Sequence, residues 1–336
     1  MNSPSYDRAP SPKLRRLLAP GGFLTPLLVS RALCGIELEA HLRPKDEVHL
    51  YCGLTRLVSS GRGRGANVWI KSHKAYATQT CAHLLIRPGR AKEVDQGNYL
   101  RDEWTSDESG LDRALNVFLE GVKVEERQKK EGAIQAAWAQ TREPWIAFDK
   151  EAAIAYPSAE DRKRQLSGAF AASVNKAREQ LFALALWQRS LPNRRNHWAM
   201  PPKPKTRLEL DQLAVDALGN LVLIEIKDAT ASQQTVYYAP FQLLQNVWEW
   251  HRALIAVRAS VQELLDARIE LGLSPSNVPP ITGGLRAVIA FGEEECSKEV
   301  KRRYSEVLCI VNELLPADVR PIETWSLVHG RPVQAP

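Results

Sequence analysis

The sequence predicts an α/β protein: a mixed central sheet with helices on both faces, preceded by a smaller β-rich N-terminal module. Three observations carry this. After Pro144 strand-like and helix-like runs interleave to the end of the chain. Residues 35–90 hold β-branched and aromatic runs broken by a Gly-rich turn. The stretch "RLELDQLAVDALGNLVLIEIKDA", residues 207–229, reads as two apolar strands joined by a tight turn.

At 336 residues the chain is long enough for two domains. Its 44% apolar and 25% charged composition is that of an ordinary globular protein. The Ser- and Pro-rich residues 1–13 are the exception and predict a disordered start. A boundary near residue 140 then separates the β-rich module with its connecting helix (14–140) from the α/β domain (141–336). The net charge of +6, from 45 basic and 39 acidic residues, favours an anionic partner, but mildly, so local charge distribution must decide. Five widely spaced cysteines with no CxxC pair indicate neither a disulfide framework nor a zinc ribbon, and fit reduced core thiols in a cytoplasmic protein. Lys13, Arg15 and Arg16 precede the 14-residue run "LLAPGGFLTPLLVS", which Pro20, Gly21, Gly22 and Pro26 break. It is too short for a membrane span, and Arg31 and Leu33 stand where an export signal needs small residues, so neither export nor a membrane partner is expected.

In chain order, "DEVHLYCGLTRLV" and "ANVWIKSHKAYA", split by "SSGRGRG", supply the strands of the module. Gly110 to about Gln140 has helical spacing interrupted by a polar middle, which predicts a connecting helix or a pair. "WIAFDKEAAIAY" reads as a strand, followed by a start signal at Ser158 to Asp161 and one long helix to about Trp187. The two strands of the hairpin come next. A helix from about Pro240 to Leu271, the strand "LRAVIAFG", the helix "EEECSKEVKRRYSEVLCIVNELL" and a last strand near "IETWSLV" complete the order α-β-β-α-β-α-β.

The hairpin carries the chemistry. In "DALGN", Asp216 and Asn220 become the last partners across a three-residue loop, with Gly219 suited to the positive φ such loops need. That register puts Val215 opposite Leu221, Leu213 opposite Leu223, Asp211 opposite Glu225 and Glu209 opposite Lys227, all on one face. The opposite face is apolar as well, through Leu208, Leu210, Ala214, Val222, Ile224 and Ile226, so the hairpin is interior. A solvated charged face would alternate along the whole hairpin, whereas these charges gather at its open end. Opposed side chains stand about 4.5–5.5 Å apart at Cβ, so Asp211 and Glu225 repel in a desolvated site unless something compensates. Mg²⁺, with Mn²⁺ as its substitute, suits hard carboxylate oxygens and leaves positions for water and phosphate. An ammonium at Lys227 is placed to orient a water and stabilise charge growing on a phosphate; alternatively it pairs with Glu209 or Asp211 in a buried ion network.

"ELD", a short hairpin and then "VLIEIK" together resemble the PD-(D/E)XK nuclease superfamily, the restriction-endonuclease-like fold, over about residues 165–260, with the remainder matching by element order. The resemblance implies that Asp211 and Glu225 hold a metal with help from the carbonyl of Ile226, and that Lys227 is catalytic. Leu210 stands where the name-giving proline would be. The family often adds an acid from the preceding helix, which makes Glu179 the candidate; a plain solvated Glu near Arg178 is the alternative.

Between Trp187 and Leu208 the chain holds Arg189, Arg194, Arg195, Lys203, Lys205 and Arg207 and no acidic residue. Such a run is suited to neutralising phosphates, and Trp187 or Trp198 to stacking on unpaired bases, against the alternative of a solvated loop with its tryptophans in the core. On the next helix Gln242 and Gln245 are candidates to touch the site or nucleic acid, against the alternative that both are surface residues. No P-loop, GxGxxG after a strand, HExxH or GxSxG is present. The expectation is a metal-dependent nuclease that hydrolyses phosphodiester bonds in DNA, most simply an endonuclease, whose N-terminal module selects the target, a protein partner or a second copy. The alternatives are a nuclease of RNA and a catalytically silent binding or assembly protein on the same fold.

Overall fold

The computed structural model describes residues 3–124, 126–191, 198–205 and 207–335, the side chains of 126–130 excepted. It is mixed α/β with two sheets, and its chain divides into two compact units: one of residues 7–137 and 260–277, the other of residues 1–6, 138–259 and 278–336.

In the first unit, α1 (Pro12–Leu18) is capped by Ser11, whose hydroxyl accepts from the Leu14 N–H. An antiparallel sheet follows: β1 (Ala32–Leu33), β2 (Ile36–Arg43), β3 (Glu47–Cys52), β4 (Thr55–Arg62) and β5 (Asn67–His73), then a single turn α2 (Lys74–Ala77), β6 (Lys92–Val94) and β7 (Tyr99–Thr105). The strand order is β1-β2-β3-β4-β5-β7-β6. Alternation works as expected on one face, where Val48, Leu50, Val58, Val68 and Ile70 are buried. On the other face a polar set is buried too: His49 lies 2.8 Å from the Glu47 carboxylate, and burial pushes its imidazole down to about 4. The connecting segment is a pair of helices, α3 (Leu111–Gly121) and α4 (Glu126–Gln140). α3 buries Leu111, Ala114, Leu115, Phe118 and Leu119, one stripe at helical spacing.

The second unit is built on a six-stranded sheet. Its elements are β8 (Trp145–Ala152), α5 (Ala159–Gln165), α6 (Ala169–Ser190), β9 (Leu210–Asp216), β10 (Leu221–Lys227), α7 (Gln233–Tyr237), α8 (Ala239–Glu270), β11 (Leu285–Phe291), α9 (Lys298–Asn312), β12 (Glu323–Val328) and β13 (Arg331–Gln334). Residues 239–259 of α8 belong to this unit and 260–270 to the other. The order β13-β12-β11-β10-β9-β8 is mixed: β10, β11 and β12 run parallel, joined by α8 and α9, while β8, β9 and β13 pair antiparallel. Both faces of the central hairpin are buried over residues 212–216 and 221–226, as the apolar residues on its two faces require.

Four expectations need correction. The cysteines are not all core thiols: Cys52 is buried, but Cys81 and Cys296 are half-buried and Cys34 and Cys309 exposed, because a small thiol is tolerated on a surface as well as in a core. The composition predicts disorder over residues 1–13, yet residues 3–13 are held in place: Ser5 bridges Ala155, Tyr6 is buried with its hydroxyl on Asp149 at 2.5 Å and its ring against Trp250, and Ser11 binds Asp46. Composition registers the prolines but not the single buried ring. The long helix after Ser158 is two helices, because Gly168 takes φ +65°, outside helical space, between α5 and α6. The sheet also gains β13, turned back on β12 through His329 and Gly330, both at positive φ. Among the described residues no helix is long and apolar enough to cross a membrane.

Candidate active site

The β9–β10 register is the expected one. Val215 pairs with Leu221, Leu213 with Leu223 and Gln212 with Ile224. Asp216 N–H donates to the Asn220 carbonyl at 3.1 Å, and Gly219 turns at φ +79°, where a Cβ would stand 2.3 Å from the Pro280 oxygen. Beyond Gln212 the strand pairing ends and a carboxylate takes over: Asp211 Oδ2 accepts the Ile226 N–H at 2.7 Å. This bond ties Asp211 to β10 beside Glu225 and Lys227.

Glu225 is fully buried. Its Oε1 accepts from Lys227 Nζ and from Gln242 Nε2 on α8, whereas Oε2 is buried with no partner among the described residues. Burial, and then the charge of Glu225, push the Asp211 carboxyl up to about 7 against the opposing charges of Lys227 and Lys205. Asp211 and Glu225 thus form a carboxylate pair in which Lys227 binds Glu225, while Asp211 has a backbone N–H as its hydrogen-bond donor. Among the described residues no group of three or more His, Cys, Asp or Glu stands together to hold a metal, so the candidate centre rests on two carboxylates. The donor set still fits a hard cation, because the orphaned Glu225 Oε2 is an oxygen whose solvation nothing among the described residues replaces.

Other sequence candidates separate. Glu209 does not face Lys227; it pairs with Arg207 at 2.6 Å on the surface, while Lys227 turns to Glu225. Glu179 is not brought to the pair: it is exposed on α6 two residues from Ala177, hence on the side of the helix away from the buried stripe Phe170, Val174, Ala177, Leu181 and Ala185. Gln242, a candidate for nucleic acid, spends its amide on Glu225. Of the basic stretch, Arg189 donates to the Trp198 carbonyl at 2.9 Å, Arg207 is taken by Glu209, and Lys203 and Lys205 are exposed with no carboxylate partner among the described residues. Arg194 and Arg195 lie outside the described residues. Trp198 is buried, whereas Trp187 is 57% exposed.

Gln245, which the sequence offers as a contact of the site or DNA or else as a surface residue, is not on the surface. It is buried, its Oε1 accepts the Lys205 N–H at 2.9 Å, and its Nε2 donates to the Phe241 carbonyl at 3.1 Å. The available signal is two amide residues three apart in the apolar run "FQLLQNVW", which places both on one helix face. Compared with known proteins, the chain matches no family model, no curated protein and no solved structure.

Proposed function

We infer that the protein is a divalent-metal-dependent nuclease acting on phosphodiester bonds, with DNA as its substrate and the cytoplasm as its place of action, and that its second unit is of the restriction-endonuclease-like type. One observation carries the reading: Asp211 and Lys227 share one strand end with the buried Glu225, one oxygen of which has no partner among the described residues. A structural ion network would satisfy its own carboxylates. Asp211, Glu225 and the carbonyl of Ile226 would hold Mg²⁺ or Mn²⁺, which when bound supplies Lewis-acid chemistry at a phosphoryl oxygen. The Lys227 ammonium, now on Glu225, orients a water and stabilises charge that grows on the phosphate. Gln242 holds the Glu225 carboxylate in place from α8. The β-rich first unit selects the target, a protein partner or a second copy.

A second reading has an observation of its own. Because Lys227 binds Glu225, the pair reads equally as a buried salt bridge in a silent nucleic-acid-binding or assembly protein. Incubating DNA, both as supercoiled plasmid and as a single-stranded oligonucleotide, and a structured RNA with and without Mg²⁺ or Mn²⁺ decides: metal-dependent cutting of DNA in at least one form that Asp211→Asn abolishes is the expected result. Cutting of RNA alone moves the substrate to RNA. No cutting of either, with Mn²⁺ binding by calorimetry unchanged in Asp211→Asn, returns the pair to structure.

A further inference from the structure

Beside Lys227 lies a cavity of about 340 Å³ lined by Met200, Pro202, Lys203, Lys205, Lys227, Gln234, Thr235, Tyr238, Gln242 and Gln245. It meets the proposed hydrolytic group at Lys227 and Gln242, and the segment before β9 lines it through residues 200–205. That segment is fixed rather than draped: the Ala199 N–H donates to Tyr237 Oη at 2.9 Å, Tyr238 Oη donates to the Ala199 carbonyl at 2.7 Å, and Gln245 accepts the Lys205 N–H at 2.9 Å. Lys203 stands between these anchors. Neither Lys203 nor Lys205 has a carboxylate partner among the described residues, and no acidic side chain lines the cavity. Three ammonium groups with amide and hydroxyl neighbours and a wall of Met200 and Pro202 make a place for a phosphate and the apolar part attached to it. The volume sits at the low end of the range for small-ligand pockets, about 300–1,000 Å³, which suits one nucleotide and excludes a duplex.

We propose that this cavity takes a single unpaired nucleotide, with its phosphate on Lys203 and Lys205, so that the substrate at the cleavage site is single-stranded. The proposal rests on the reading of Asp211, Glu225 and Lys227 as a hydrolytic site, and it specifies what that site accepts. The phosphate is held by two exposed lysines whose backbone is pinned, and strand entry brings the neighbouring phosphodiester against Lys227.

The test uses the full chain and two measurements. By calorimetry, deoxyadenosine monophosphate binds the wild type, and the doubly substituted Lys203→Gln, Lys205→Gln protein binds it about tenfold or more weakly, since each substitution removes a charge-assisted hydrogen bond to the phosphate. Both lysines are exposed, and an unchanged melting curve verifies that the variant is folded. In a cleavage assay with Mg²⁺ or Mn²⁺, a single-stranded oligonucleotide is cut and the same strand in a blunt duplex is not. Equal cutting of strand and duplex, or monophosphate binding that ignores both lysines, overturns the proposal and leaves the nuclease reading intact. Lysine-dependent monophosphate binding with no cutting of any substrate supports the cavity and defeats the hydrolytic reading instead.

Discussion

The two ends of the β9–β10 hairpin solve the same problem in opposite ways. At the turn, buried Asp216 accepts from the N–H groups of Leu218 and Asn220, from the Asn220 side chain at 3.0 Å and from Arg286 at 2.9 Å; Arg286 in turn grips Glu323 with two bonds at 2.9 and 2.8 Å. Those partners hold the Asp216 and Glu323 carboxyls below their ordinary values despite burial. At the open end Asp211 has one backbone donor, faces Glu225 and is pushed up to about 7. The turn end is a completed ion network that stabilises the fold. The open end has one ammonium, Lys227, for two carboxylates and leaves Glu225 Oε2 without a partner among the described residues, a pattern that fits the proposed ligand site.

The largest expected effect lies at the open end. Lys227→Ala should reduce cleavage by the folded protein by about 10³-fold or more while DNA binding and Mn²⁺ affinity hold, because Lys227 acts on charge that develops only in the reaction. Loss of stability of about 3–5 kcal/mol with wild-type cutting by the folded fraction would make the open end a second turn end, a plain ion pair. At the turn the prediction inverts: Arg286→Ala strands Asp216 and Glu323 and should cost about 3–5 kcal/mol in urea unfolding, with metal binding untouched. A mild effect there would mean that the two ends do not differ.

A pH profile sharpens the contrast through Glu249, seven residues along α8 from Gln242 and away from the proposed metal. Burial raises its carboxyl to about 7 in spite of Arg162 at 3.3 Å. A raised acid contributes stability below its unfolded value of 4.5 and loses it as pH rises through about 7, so Glu249→Gln should flatten a decline of roughly 3 kcal/mol over that window. Asp216 has the opposite sign: its lowered value contributes stability above 3.8 that is lost as pH falls through the folded value, and Arg286→Ala should blunt that acid limb. Unfolding curves at stepped pH that show one common limb would contradict the distinction. The smallest effect is at the segment before β9. Neutralising Lys203, Lys205 and Arg207 should reduce the salt slope of DNA binding by about 0.7–0.9 for each phosphate left without its cation, with Arg207 contributing least because Glu209 already holds it. An unchanged slope would make that segment a solvated loop.

Much of the fold was legible where the signal is local. The interleaved strands and helices of the second unit, the helix pair before it and the hairpin register follow from periodicity and from Gly219 in the turn. Short-range cues failed where one residue outweighs composition, as Tyr6 does in a Ser- and Pro-rich start, and where one glycine, Gly168, divides a helix-like run. In the site, Asp211, Glu225 and Lys227 were readable because a period of two assigns them one face. Gln242 and Gln245 were seen as candidates but not in their roles, since a helix pattern says which face a residue shares and not what lies opposite.

By itself the sequence determined the apolar strands, the turn between them and the side of the sheet on which three charged residues gather, because backbone geometry converts spacing into direction without outside help. Only the tertiary structure decided the partners. Lys227 binds Glu225 and not Glu209, Gln242 reaches the same carboxylate from α8, and Glu179 faces away on α6. The physical reason is that pairing and desolvation are set by what packs across a space. In a buried strand end, the orphaned oxygen of Glu225 exists only once every neighbour has been placed around it.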